Sequence, residues 1–383
     1  MFEIKTLSPI HVGSGEEISP MEYVVEGEDF FRVDMEGVFH DKERFEREKF
    51  LEFIDDTTLK KKAAYFGTFD REIAKAHPRY ILKMIEEIDE KYPSQVKEFI
   101  KTSDKFYIPG SSIKGAILSA LYWYELKEGS NSDGGIEKIV RACLTKDFRS
   151  LQELQRNERY KRFIVTRWNR KYRRNEIDFG GTLQNIVFEC LIGEKGERIR
   201  YVKQRRDRKG IERITNDIKF APWLQVTDTN PISEAGAYLG LCKVYGSSRD
   251  IGIFYELLKP GVSLYFDMAA QKTGLELVKM LEITDSFYSH VLEANKKWLS
   301  GNAISINLDG IESQRYKLRL GQGSSSLATS LLILADELGI KEEYLRKWRV
   351  TKYHTEPKTR KLVFENGKPT YPLGWVKLEL KNE

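Results

Sequence analysis

The chain has 383 residues, 40% hydrophobic, 32% charged and 12% aromatic, which fits two domains of ordinary size with a substantial core and excludes a disordered chain. A formal net charge of +5 and a pI near 8.7 say little about partners until the charges are placed along the chain. The longest apolar runs, such as Leu331 to Ala335, are too short to cross a bilayer, and Met1 to Lys5 reads straight into a strand, so a cytoplasmic protein with no membrane partner is expected.

FEIKTLSPIHVGSG (2–15) alternates as a strand and ends in a Gly-Ser-Gly turn, and MEYVVEGEDFFRVD (21–34) reads as strand, turn, strand. From Asp41 to about Lys101 the pattern becomes charged and helical, with Ile81, Ile85 and Ile88 at helical spacing, which predicts a helical insertion. In FYIPGSSIKGAILSALYWYEL (106–126), Pro109-Gly110 turns the chain and Ser111 or Ser112 can cap a helix. GSNSDGG (129–135) then predicts a flexible loop, and TLQNIVFECLIG (182–193) and PWLQVTDTNPI (222–232) read as strand-like. Past Glu234, AYLGLCKVYG, IGIFYELLKPG and VSLYFDMAAQ are strand-like, 272–299 is helical, and YPLGWVKLEL (371–380) is a terminal strand. Both halves mix antiparallel-looking strands with a few helices, so the fold class is α+β rather than a doubly wound sheet.

Charge is segregated. Residues 1–60 are acidic, whereas RNERYKRFIVTRWNRKYRRN (156–175) carries Arg167, Arg170, Arg173, Arg174 and five further cations against Glu158 alone. A second basic block follows in RIRYVKQRRDRKGIER (198–213). Interleaved Tyr160, Phe163, Trp168, Tyr172 and Tyr201 make these blocks suited to a polyanion whose bases can stack. The acidic N-terminal part and the insertion would repel phosphates and read as protein-facing.

Enzyme readings find less support. Gly321-Gln322-Gly323 lacks the third glycine of a dinucleotide loop, because Ser326 stands there, and GSSIKGA has Lys114 before Gly115, against the Walker order. The histidines (His11, His40, His77, His290, His354) are scattered and Cys143, Cys190 and Cys242 are far apart, so no metal and no cofactor is expected and the thiols read as buried and reduced. His11, at a strand end beside Gly13 and Ser14, is the one candidate for general acid-base cleavage of RNA, and it has no identifiable partner.

Taken in order, SPIHVGSG, YIPGSSIKGAIL, LQVTDTNPI, LRLGQGSSS and PKTRKL with YPLGWVKLEL resemble the RAMP proteins of CRISPR-Cas systems, most closely the fifth-numbered subunits of type III-A Csm complexes. The resemblance spans Ser8 to Leu380. It implies two RRM-like, ferredoxin-like RAMP domains, 1–233 and 234–383, with the helical insertion at about 41–101 in the first. It also implies a subunit that caps the filament, holds the 3′ region of the CRISPR RNA and supports its maturation. Its partners would be the other Csm RAMP and small subunits and a recruited host nuclease. The RNA contacts expected on this basis are His11, Gly13, Ser14, Ser111, Ser112, Lys114, Arg167, Arg170, Arg173, Arg174, Gln322, Ser324 and Ser325, since glycine turns, hydroxyls and helix starts grip phosphates without reading sequence. Related subunits that cut target RNA use an aspartate in the loop after the first strands; HVGSGEEISPMEY offers Glu16, Glu17 and Glu22 but no Asp, which argues against cleavage. Two alternatives stand beside this reading. One is a metal-independent RAMP endoribonuclease using His11, and the other a handle-binding or capping RAMP subunit of a related type III complex.

Overall fold

The computed structural model describes all residues except 60–63, 92, 170–173, 193–201, 207–211, 217–223, 247–251, 271–275, 350–358 and 382–383, with backbone alone at 57–59, 174, 188–192, 202–206 and 212–216. In chain order, β1 is Phe2–Thr6, β2 Gly13–Ile18, β3 Tyr23–Glu26, β4 Asp29–Val33, β5 Pro78–Lys83 and β6 Val96–Phe99. Helices α1 (Gly110–Ser132), α2 (Gly134–Thr145), α3 (Phe148–Gln155) and α4 (Phe179–Ile192) follow. The remainder supplies β7 (Ala237–Tyr245), β8 (Gly252–Leu258), β9 (Ser263–Phe266), α5 (Leu277–Gly301), β10 (Lys317–Arg319), β11 (Arg360–Glu365), β12 (Lys368–Pro372) and β13 (Trp375–Leu380).

Two sheets organise the molecule. A four-stranded antiparallel sheet runs β9-β1-β13-β10, and a six-stranded sheet runs β2-β6-β8-β7-β11-β12, with only β6 and β8 parallel. Strands from both sides of residue 233 therefore share each of these sheets, and the chain's first and last strands pair from Phe2↔Leu380 to Thr6↔Val376.

The long helices α1 and α5 pack on one another and build the core. Ile113, Ile117, Ala120, Leu121 and Trp123 of α1 and Met280, Ile283, Phe287, Val291 and Leu292 of α5 recur at three- and four-residue steps and are buried. Each of the branched, Met and Phe side chains among them contributes about 1.5–3 kcal/mol by leaving water. A second, smaller core of Val24, Val33, Val38, Phe66, Ile73 and Ala74 holds the segment between β4 and β5 against β3 and β4.

Three local readings of the sequence are corrected. The predicted helix through Ile81 and Ile85 ends at Ala76; residues 78–83 are β5, paired with β4 from Asp29↔Lys83 onward. Tyr80, Leu82 and Met84 are buried while Ile81 and Ile85 are exposed, a period of two, and Pro78 sits where a strand tolerates it, at its first position. The strand-like TLQNIVFECLIG lies in α4 as far as Ile192, because Leu183, Ile186 and Val187 fall on one helical face. The loop expected at 129–135 is helix as far as Ser132, after which Asp133 accepts from the amides of Gly135 and Ile136 and starts α2.

Candidate nucleic-acid interface

Helix α1 begins without a side-chain cap of its own: Pro109 occupies the cap position, and neither Ser111 nor Ser112 caps it. The carboxylate of Asp228 instead accepts from the Gly110 amide at 2.8 Å, while Thr229 and Ile108 exchange hydrogen bonds beside it. TDT in the motif LQVTDTNPI thus fixes the start of α1, a role its sequence context did not announce. Ser111 is left exposed and Ser112 half-buried.

The glycine loop is positioned by a second chain crossing. Gly321 has φ +62°, and a Cβ there would stand 2.0 Å from the His11 carbonyl oxygen. That carbonyl accepts from the Gln322 amide at 2.9 Å, and Leu320 and Gly374 bond backbone to backbone at 2.7 Å. The Gly374 amide in turn donates to Pro9 O at 2.9 Å. Strand-end loops around His11, Gly321 and Gly374 are therefore locked together through main chain. Close approach, rather than an anion pocket made by glycine alone, explains the glycines here.

These two features meet. Ser111, Ser112, Gly115 and Ser119 of α1 face Arg319, Gly321, Ser324 and Thr329 across a cleft of about 310 Å³. A neighbouring cleft of about 230 Å³ shares Gly115, Ser119 and Thr329 and continues to Tyr122 and Leu331. The joint groove follows α1 for about three turns, roughly 16 Å. Its lining sets hydroxyls, Gly115 and Gly321 among apolar Leu118, Leu320, Ala328 and Leu331, with Arg319 as a cation, and among the described residues no carboxylate lines either part. Ser324 Oγ donates to Arg319 O at 3.1 Å, and Ser325 Oγ is buried with no hydrogen-bond partner among the described residues. Ser119, Thr329 and Tyr288 also line the groove and were not anticipated; the three- and four-residue steps Ser112, Gly115, Leu118 and Tyr122 along α1 were the signal available.

The other expected residues are distributed. Gln322 is exposed at the loop tip. Lys114 is half-buried, and burial lowers its pKa. Gly13 and Ser14 lie on exposed β2, where Ser14 Oγ donates to Glu98 at 3.2 Å. Arg167 is 78% exposed and pairs with Asp178 at 3.1 Å. Arg159 pairs with Asp133, from outside the basic block, and Lys161 with Glu158 within it, so acids compensate part of the block. Arg170 and Arg173 lie outside the described residues, as does the side chain of Arg174.

His11 is 3% exposed, with Phe99 and Tyr255 edge-on to its ring. Its Nδ1–H donates to the Glu256 carbonyl at 2.9 Å, and burial lowers its pKa to about 4. It is therefore neutral at pH 7. The folded state binds fewer protons at this site than the unfolded chain between pH 6.5 and 4, so stability falls as pH drops through that window. His11→Gln is expected to remove about 3 kcal/mol of pH dependence between pH 7 and 4, measured as the difference in urea-unfolding free energy at the two values; parallel wild-type and variant profiles would contradict it. Burial likewise pushes the Cys143 and Cys242 thiols up to about 12, which leaves them unreactive. Among the described residues no group of three His, Cys, Asp or Glu converges, and no helix is long and apolar enough to cross a membrane.

The sheets, the paired terminal strands and the glycine crossing define a recognisable class. The family profile described as the RAMP superfamily matches residues 3–319, and the chain belongs to that superfamily. Within it, the protein called CRISPR system Cms protein Csm5 in Methanocaldococcus jannaschii is 32% identical over 117 residues, covering 30% of this chain and 28% of that protein. Its namesake in Streptococcus thermophilus is 34% identical over 130 residues, 30% of this chain and 36% of that one. The matches thus span only about a third of these relatives. Over 99% of its length the chain also superposes on a chain of a type III-A Csm–crRNA–target RNA ternary complex, with TM-score 0.64 and 23% identity, all of that chain being covered. Csm5 of T. onnurineus superposes over 98% of this chain and 99% of its own, with TM-score 0.61 and 20% identity. At these identities the likeness is one of fold.

Proposed function

We propose that the chain is a subunit of a type III-A CRISPR effector complex that holds the 3′ region of a CRISPR RNA, caps the filament of backbone subunits and supports crRNA maturation and antiviral defence. It does so without cutting RNA itself. In this reading it comprises two RRM-like RAMP units that exchange strands, 1–233 and 234–383, with a protein-facing insertion whose helical part lies before β5. Its partners are the crRNA, the other Csm subunits and a recruited nuclease.

The observation that carries the reading is the convergence of Ser111 and Ser112 with Gly321 and Ser324 on one carboxylate-free groove. Hydroxyls and main-chain amides at a helix start suit phosphates of any sequence, which is what holding a variable guide requires. The enclosed, neutral His11 is a poor general acid, and no observation favours the endoribonuclease reading over the binding one.

Fluorescence anisotropy with unrelated single-stranded RNAs tests this. Affinities should agree within a few-fold across sequences and fall with salt, at a log–log slope of about −0.7 per phosphate neutralised. Combining Ser111→Ala, Ser112→Ala and Ser324→Ala should weaken binding at least about tenfold, since each hydrogen bond lost to a charged group is worth roughly 1.5 kcal/mol. Absence of RNA binding, or chelator-resistant cleavage abolished by His11→Ala, would contradict the proposal.

A further inference from the structure

A two-stranded ribbon, Thr166–Asn169 paired with Arg174–Ile177, belongs to neither main sheet, and none of its residues lines the groove. Its base is fixed to the body. The Asp178 amide donates to Val165 O at 2.8 Å, Thr182 Oγ1 of α4 accepts from the Val165 amide at 3.0 Å, and Asn185 Nδ2 donates to Arg162 O at 2.7 Å. Phe163, Ile164 and Ile177 are buried there. Alternate residues of a strand face opposite ways, and residues directly opposite across the pair share a face. One face carries Arg167, Asn169 and Glu176, and these find partners: Arg167 pairs with Asp178, and Asn169 Nδ2 donates to Glu176 at 2.6 Å. The other carries Thr166, Trp168 and Asn175, with Trp168 and Asn175 directly opposite. Trp168 is 55% exposed, the highest value for a large apolar side chain among the described residues, and Asn175 is exposed beside it. Neither the indole nor the Asn175 side-chain amide meets a ring, cation or hydrogen-bond partner among the described residues.

The segment 166–177 holds Arg167, Arg170, Lys171, Arg173 and Arg174 against Glu176 alone. A free aromatic face and a free amide in so cationic a stretch fit a polyanion that also presents flat rings, which is a single-stranded nucleic acid. A base within a duplex has both faces covered, so the ring that stacks here is unpaired. We infer that Trp168 and Asn175 form a site for one unpaired nucleobase of an RNA strand. The base stacks on the indole, and its edge bonds to the Asn175 side chain, which presents a donor and an acceptor side by side. Adenine, with its N6 donor and N7 acceptor, matches that pair best. The groove grips phosphate; the ribbon grips a ring. This inference rests on the RNA-binding reading and adds to it a contact of different chemistry.

Fluorescence anisotropy of the full chain with short oligoadenylate and oligouridylate tests it. Trp168→Ala should weaken binding of both about tenfold, and Trp168→Phe, which keeps a ring to stack on, should stay within about threefold of the wild type. The salt slope should not change, because an indole neutralises no phosphate. The wild type should prefer oligoadenylate by about threefold, and Asn175→Ala should erase that preference. Both side chains stand in solvent, so the variants should melt with the wild type. Wild-type protein that binds neither RNA would refute this site together with the RNA-binding reading. Binding that is intact in Trp168→Ala would refute the site alone and leave the indole to a protein partner. An unchanged preference in Asn175→Ala would remove Asn175 from it.

Discussion

Replacing Glu256 by alanine is expected to destabilise the protein by about 3 kcal/mol, the low end of the cost of breaking a buried ion pair. Its carboxylate is fully enclosed, accepts from the Tyr80 hydroxyl at 2.6 Å and the Phe99 amide at 2.8 Å, and pairs with Lys101, whose side chain is only 6% exposed. Its main-chain oxygen accepts the hydrogen bond from His11 Nδ1–H. One residue of β8 therefore ties together β5, β6 and the loop that carries His11. The loss is held to the low end because Glu98, 3.4 Å from Lys101, keeps part of the charge compensation. Glu256→Gln, which still accepts hydrogen bonds, should cost about half as much. Urea unfolding of both variants measures this; a loss below about 1 kcal/mol for the alanine would show that the network is dispensable.

Gly321→Ala should be the most damaging single change at the groove. An alanine at φ +62° costs about 1 kcal/mol for its conformation, and its Cβ would sit 2.0 Å from the His11 oxygen, so the Gln322–His11 hydrogen bond must also open. We expect at least about 2 kcal/mol of lost stability and a more than tenfold loss of RNA affinity. Gly115→Ala separates the two effects. A Cβ there meets nothing within 4 Å, so the α1 helix gains up to about 1 kcal/mol while the groove narrows. Weaker binding with unchanged or raised melting temperature is expected for it, and equal damage to both properties in the two variants would contradict this division.

Local patterns were legible wherever one face of an element meets one environment. The turn between β3 and β4, the α5 helix and the strands β7, β8 and β13 follow directly from periodicity and turn residues. What misled was spacing that fits two periods, as with Ile81 and Ile85, or an apolar run with a helical stripe hidden in it, as in 182–193. Pairings such as β1 with β13 join residues 370 or more apart, and no local propensity encodes them. The same holds for the site. GSS and GQGSSS could be singled out one by one, but not their facing across one groove, nor the Asp228 cap, nor the enclosure of His11 by β6 and β8. The apparent excess of basic residues in 156–175 was overstated because Asp133 and Asp178, from outside or beyond the block, pair with Arg159 and Arg167.

The central claim is that the groove between α1 and the glycine loop grips an RNA backbone. Photocrosslinking the full chain to single-stranded RNA, followed by mass spectrometry of the modified peptides, tests it most directly. The account predicts crosslinks within residues 111–122 and 320–331 for every RNA sequence used. Crosslinks confined to other surfaces, with both of these peptides recovered unmodified, would contradict it.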